Sequence, residues 1–136
     1  MSADVVIDTN VVLDLFLFDD PAAVPLREAL QARRLRWIAT AAMRGECERV
    51  LGYDLVQRQL AARGRAAPDV LQAFDALAQV LPGAPVADVR CADAEDQIFV
   101  DLAVAQRASL VSRDKELLRL RRRLQACGVA VAPAIS

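Results

Sequence analysis

Four acidic residues, Asp8, Glu46, Asp96 and Asp114, are the side chains in this sequence that could do chemistry together. The chain contains no histidine, which removes Ser-His-Asp and Cys-His triads, His-ligated catalytic zinc and imidazole acid–base catalysis at once. Carboxylates must therefore carry any catalysis. Two carboxylates about 4 Å apart repel by roughly 4 kcal/mol at an effective dielectric of 20, so four gathered bare could not all stay ionised. A hard divalent cation resolves the conflict, and Mg²⁺ or Mn²⁺ suits an all-oxygen site without imidazole or thiolate. One such ion, or two held about 3.5 to 4 Å apart, activates water and neutralises charge in phosphodiester hydrolysis. Taken singly, each acid has a plainer reading. Asp8 and Asp114 could be turn residues, Asp96 a helix-capping acid, and Glu46 a boundary charge reaching for water.

The acids meet only if the chain folds so as to gather them. Ala3 to Ile7 is a β-branched, apolar run, read as a buried parallel strand followed by a turn at Asp8-Thr9-Asn10. Helices are expected over Val11 to Phe18 and about Ala22 to Ala32, and a second strand over Leu35 to Ala39. Thr40 is placed to cap a helix running to about Leu51, with Gly52 ending it. Helices near Leu55 to Arg63 and Pro68 to Leu81 precede the break Pro82-Gly83-Ala84-Pro85, after which Val86 to Arg90 reads as a third strand. Asp93 then caps a helix from about Glu95 to Arg107. A fourth strand over Ser109 to Ser112, an arginine-rich helix over Lys115 to Ala126 and a last strand over Val129 to Val131 complete the pattern.

Strands alternating with helices predict a three-layer α/β/α fold, Rossmann-like, with a mostly parallel sheet of about five strands and right-handed crossovers. In such sheets ligand sites form outside the carboxyl ends of the strands. Asp8 follows the first strand directly and Asp114 closes the turn after the fourth. At about 100° per residue, Glu46 falls on the flank of the apolar stripe of Met43, Cys47 and Val50, while Glu48 and Arg49 point to solvent. With Asp93 as the cap, Asp96 is free to face the sheet edge.

The chain has 136 residues, 55% hydrophobic and 26% charged, which suits one domain spanning residues 1–136 with a core that needs no disulfide or structural metal. Cys47, Cys91 and Cys127 form no CxxC pair and read as small buried hydrophobes of a reducing compartment. The net charge of −1 is not that of a polycation. No apolar run reaches bilayer-spanning length, and the opening Met1-Ser2-Ala3-Asp4 lacks the basic start of a signal peptide, so no membrane association and a cytoplasmic location are expected.

Val5-Val6-Ile7-Asp8-Thr9-Asn10-Val11-Val12, Thr40 with Glu46 to Leu51, Cys91 to Phe99 and Leu110 to Leu118 together resemble PIN-domain proteins, in particular the toxin branch related to VapC toxins. The likeness runs from Val5 to about Pro133. It implies metal-dependent cleavage of RNA. It further implies that Asp8, Glu46, Asp96 and Asp114 are the catalytic, metal-binding acids, with Asn10 and Ser112 as the polar residues that support them. An antitoxin protein whose tail covers the site is the implied partner. The sequence departs from the branch after Asp96, where another acid and then a lysine are common but Gln97 and Ile98 stand here.

On this reading Asp8, Asp96 and Asp114, with Glu46 direct or through water, hold Mg²⁺ or Mn²⁺ and so generate hydroxide near neutral pH. Arg113, Lys115 and Arg49 are the candidates to grip RNA phosphates, whereas Arg119, Arg121, Arg122 and Arg123 read equally as a solvated helix face. The helices near residues 55 to 81 read as a clip or dimer surface, making a homodimer the expected assembly. Two rivals remain. One is a catalytically silent PIN-like module that binds RNA or a protein. The other is a phosphatase of the haloacid dehalogenase type with Asp8 as nucleophile, which needs an acid where Asn10 stands.

Overall fold

Because Val5, Val6 and Ile7 are apolar without alternation, β1 (Ala3–Ile7) can be covered on both faces, and all three residues are buried. The computed structural model describes residues 3–135; Met1 and Ser2, part of the opening read as lacking a signal sequence, lie outside it. After β1 come α1 (Thr9–Phe16), a 3₁₀ turn at Pro21–Ala23 leading into α2 (Val24–Gln31), and β2 (Leu35–Thr40). Three helices follow, α3 (Ala41–Leu51), α4 (Asp54–Ala62) and α5 (Ala67–Leu77), then β3 (Ala78–Leu81). A second 3₁₀ turn at Ala94–Asp96 opens α6 (Gln97–Gln106), and β4 (Ser109–Val111), α7 (Lys115–Leu118), α8 (Arg121–Ala126) and β5 (Val131–Ala132) complete the order.

The five strands pair in the order β3-β2-β1-β4-β5, and every pairing is parallel. The expected three-layer α/β/α fold is therefore the observed one. The order puts β1 at the centre, with Asp8 at its carboxyl end between the ends of β2 and β4. Thr40 caps α3 as expected, its hydroxyl accepting from the Met43 N–H at 3.3 Å, and the helix ends at Gly52. No helix among the described residues is long and apolar enough to cross a membrane.

Four local expectations are corrected. The third strand is Ala78–Leu81, the end of what reads as one helix, while residues 86 to 90 form no strand. Their period-two burial is real, with Ala87 and Val89 buried between exposed neighbours. The partner, however, is α6. Ala87 N–H donates to Asp101, and the Gln97 amide donates to the Val89 carbonyl, so side chains rather than a neighbouring strand satisfy this backbone. The arginine-rich helix divides into α7 and α8 where Leu120 N–H bonds to the Leu117 carbonyl, an i to i−3 bond that interrupts the α ladder. The last strand sits at Val131–Ala132 rather than over Val129 to Val131, and β4 fixes its register through Ser112 N–H to the Ala132 carbonyl at 3.0 Å. Only Cys47 is a buried cysteine, whereas Cys91 is half-buried and Cys127 is exposed.

Trp37 on β2 is the largest core side chain, stacked on Phe16 at 6.1 Å and tilted against Phe74 at 4.5 Å between ring centroids. It joins α1, α5 and the sheet in one contact. Trp37→Ala should therefore destabilise the protein by about 3–5 kcal/mol, read as a drop in the urea midpoint at unchanged slope.

Candidate functional site

The chain turns straight from β1 into α1, so the expected turn at residues 8 to 10 is the helix start and Asp8 is its N-cap residue. Asp96 holds the same position before α6, and Asp114 before α7. Of these three, only Asp114 uses its side chain as a cap, accepting from the Glu116 N–H at 2.8 Å. Asp93 performs that duty ahead of Asp96, as its position suggests, accepting from Glu95 N–H at 2.9 Å.

Ser112, fully buried, ties two of the acids together. Its hydroxyl donates to Asp8 Oδ2 at 2.7 Å and accepts from the Asp114 N–H at 3.0 Å. The Asp8 N–H in turn donates to the Val111 carbonyl at 3.0 Å, fixing the end of β1 against the end of β4. Glu46 is half-buried on α3 and accepts a hydrogen bond from the Thr9 hydroxyl, while Glu48 and Arg49 are exposed, as the helical wheel predicts. Asp96 is 8% exposed, and its Oδ2 is sealed from solvent without a hydrogen-bond partner.

Asp8 and Asp96 each feel the charges of other candidate acids. Burial pushes the Asp8 carboxyl up to about 6; hydrogen bonds from Ser112 and the Thr9 backbone oppose the shift, and the Glu46 and Asp114 charges add to it. Asp96 is pushed up to about 7, first by burial and then by Asp114, Asp8, Asp93 and Glu46. Among the described residues, however, no group of three or more acids or cysteines is drawn close enough to hold a metal ion directly. The donor chemistry still fits a hard cation. All the side-chain donors are oxygens, one of them is buried and unpartnered, and Mg²⁺ commonly takes only one or two carboxylates and keeps several waters.

A sequence model of the PIN domain matches residues 4–116, a span that includes all four acids. The chain belongs to the PIN-domain family. No curated protein matches it. Family membership gives a nuclease-like fold class, and in this PIN domain Asp8 and Asp114 follow the ends of β1 and β4 while Glu46 lies on α3 and Asp96 at the start of α6.

Other expected residues fall differently. Asn10 is exposed on α1 and makes no hydrogen bond to the acids, whereas Thr9, the middle residue of the expected turn, faces inward and bonds Glu46. No sequence signal marked this exchange, because position 9 turns inward only when the helix starts at Thr9 rather than Val11. Arg113 does not stand free beside Asp114. Its guanidinium grips the buried Asp14 through two bonds of 2.7 and 3.0 Å. Arg49 and Lys115 are exposed and have no ion-pair partner among the described residues. A further buried acid, Asp101 on α6, accepts from Ala87 N–H and the Gln97 amide, each at 2.8 Å.

Raised carboxyl pKa values have a definite thermodynamic sign. Between the ordinary carboxylate value and about 7, the folded protein binds more protons at Asp8 and Asp96 than the unfolded chain does, so its stability falls as pH rises. Metal-free protein should be less stable at about pH 8 than at about pH 5, by on the order of a few kcal/mol. Urea denaturation in EDTA measures this, and Asp96→Asn should flatten the dependence.

Proposed function

We propose that this PIN-domain protein is a Mg²⁺- or Mn²⁺-dependent ribonuclease that hydrolyses RNA phosphodiester bonds as the toxin of a toxin–antitoxin pair. The observation that carries the reading is the buried, unpartnered Asp96 Oδ2 beside acids whose charges raise its pKa. A carboxylate left that way is costly unless something outside the chain compensates it. Asp8, Asp96 and Asp114, with Glu46, would hold the ion. A divalent cation in this position supplies charge neutralisation for the phosphate and lowers the pKa of water.

The chain's own residues prepare that position. Ser112 fixes the rotamer of Asp8 and Thr9 that of Glu46, so two carboxylates are oriented before any ligand arrives. Asp8 and Asp96 give up protons on ionising fully, so cation binding is coupled to proton release and weakens as pH falls. Exposed Arg49 and Lys115 offer cations to flanking phosphates. An antitoxin segment covering this edge would deny RNA access, and a homodimer is the proposed assembly.

One observation favours a catalytically silent binding module, namely the absence among the described residues of a tight group of three acids. Calorimetry with Mn²⁺ separates the readings. The nuclease should bind Mn²⁺ with an enthalpy that changes with buffer as protons are released, and Asp96→Asn should lose both binding and at least about a hundredfold of RNA cleavage. Wild-type protein that neither binds Mn²⁺ nor cleaves structured or single-stranded RNA would be the silent module. Thr9→Val should lower the cleavage rate by about tenfold while leaving the fold intact, checked by the rate in saturating Mn²⁺. For the toxin role, expression should arrest growth of a bacterial host, and the Asp96→Asn form should not.

A further inference from the structure

The carboxyl edge continues past the acids. Carrying the register Val5↔Trp37 forward sets Thr40 beside Asp8, one strand spacing of about 4.8 Å away. At this point a cavity of about 340 Å³ opens between the start of α3, the end of β3 and α6, bounded by Thr40, Ala42, Leu81, Pro82, Ile98 and Asp101 among others. Its walls are largely apolar. Thr40, whose hydroxyl is spent on capping α3, and Asp101 are the polar side chains of the lining, and Asp101 is 7% exposed. Its Oδ1 is occupied by the Ala87 N–H and the Gln97 amide, but Oδ2 accepts nothing from a described residue and, unlike Asp96 Oδ2, is not sealed off. The mechanism above has no use for this carboxylate.

A single free acceptor oxygen in an apolar wall is poor chemistry for a cation, which needs about six oxygens. It is good chemistry for a flat aromatic ring with one amino group. The volume falls within the range of small-ligand pockets, and unstacked RNA bases are held by apolar faces and hydrogen bonds to their edges. We propose that this pocket is a base subsite that holds a nucleobase next to the scissile phosphate and, through Asp101 Oδ2, selects bases bearing an exocyclic amine over uracil. The proposal rests on the ribonuclease reading for the phosphate's position. Adenine, cytosine and guanine each offer an N–H₂ donor, and a carboxylate accepting from cytosine N4 is a standard pairing. Uracil offers only its N3–H, flanked by two carbonyl oxygens that the carboxylate repels, and has no exocyclic donor to give.

Asp101→Asn is the sharp test, because the amide oxygen still accepts from Ala87 and Gln97 while an N–H₂ donor replaces the free oxygen. Wild-type protein with Mn²⁺ should cleave oligo(A) and oligo(C) about ten- to a hundredfold faster than oligo(U), and Asp101→Asn should lose that preference. Fluorescence anisotropy with the same oligonucleotides in EDTA should give the same order of affinities. That arm decides the subsite even if no RNA is cleaved, so failure of the nuclease reading and failure of this one are distinguishable. Ala42→Leu fills the pocket from an exposed position without touching the Asp101 bonds and should abolish the discrimination, which covers the case of an Asp101→Asn chain that does not fold. Equal treatment of the three oligonucleotides by wild type in both assays overturns the proposal. So does an unchanged preference in a folded Asp101→Asn or in Ala42→Leu.

Discussion

Carboxylates withdrawn from water at one edge of a parallel sheet repel one another, and much of the local architecture answers that repulsion. Asp8, Asp96 and Asp114 each stand at the N-cap position of a helix, and Thr40 beside them caps a fourth. Helix N-termini carry a partial positive charge, so the backbone contributes some compensation at the place where the side chains gather. Two hydroxyls, Ser112 on Asp8 and Thr9 on Glu46, contribute more. The Asp8 carboxyl stays raised in spite of its hydrogen bonds, and that of Asp96, which receives no hydrogen bond on its buried oxygen, is raised further. The fold thus holds a site that is electrostatically incomplete by itself.

Holding such a site requires rigid surroundings, and the turn after β4 shows how they are made. Ser112 is locked by β5 through its backbone N–H and by Asp8 through its hydroxyl. Arg113, next in sequence, reaches the other way to α1 and closes a bidentate ion pair on the buried Asp14. Removing Arg113 would leave the buried Asp14 charge unpaired, which is far more costly than the pair is stabilising. Consecutive residues therefore anchor the turn to the strand layer and to α1, and Asp114 has little freedom to move. A side chain that looks from sequence like a phosphate clamp is in fact spent on this anchoring.

The parts of the fold legible in the sequence are those in which local pattern and tertiary role agree. β1 and β2 each carry an unbroken buried apolar run, Val5 to Ile7 and Trp37 to Ala39, and α3 is bracketed by Thr40 and Gly52. Legibility fails where tertiary structure supplies the partner. Ala78 to Leu81 continues α5 without a breaker and becomes a strand because the edge of β2 offers it a register from Trp37 to Thr40. Residues 86 to 90 alternate like a strand, yet α6 side chains take their backbone bonds. In the site, the four acids could be found by asking which carboxylates fall at strand ends and on inward helix faces. The swap of Asn10 for Thr9 could not, because it depends on a helix starting two residues earlier than the turn signal at residues 8 to 10 suggests.

Gln97 illustrates how a departure from a family pattern can be physical rather than incidental. An acid at this position would add a charge next to Asp96, whose carboxyl is already raised by its neighbours. The amide instead makes three bonds. Its oxygen accepts from Cys91 N–H at 2.7 Å, and its nitrogen donates to the Val89 carbonyl at 3.0 Å and to Asp101 Oδ1 at 2.8 Å. A carboxylate could accept the first of these but donate neither of the others. It would also face Asp101 as a like charge across a hydrogen-bond distance. With glutamine, the segment from Ala87 to Cys91 is pinned onto α6, and the same helix carries Asp96 at its start. The segment that borders the acids and the helix that presents one of them are thereby held as a unit, at the cost of one negative charge near the centre.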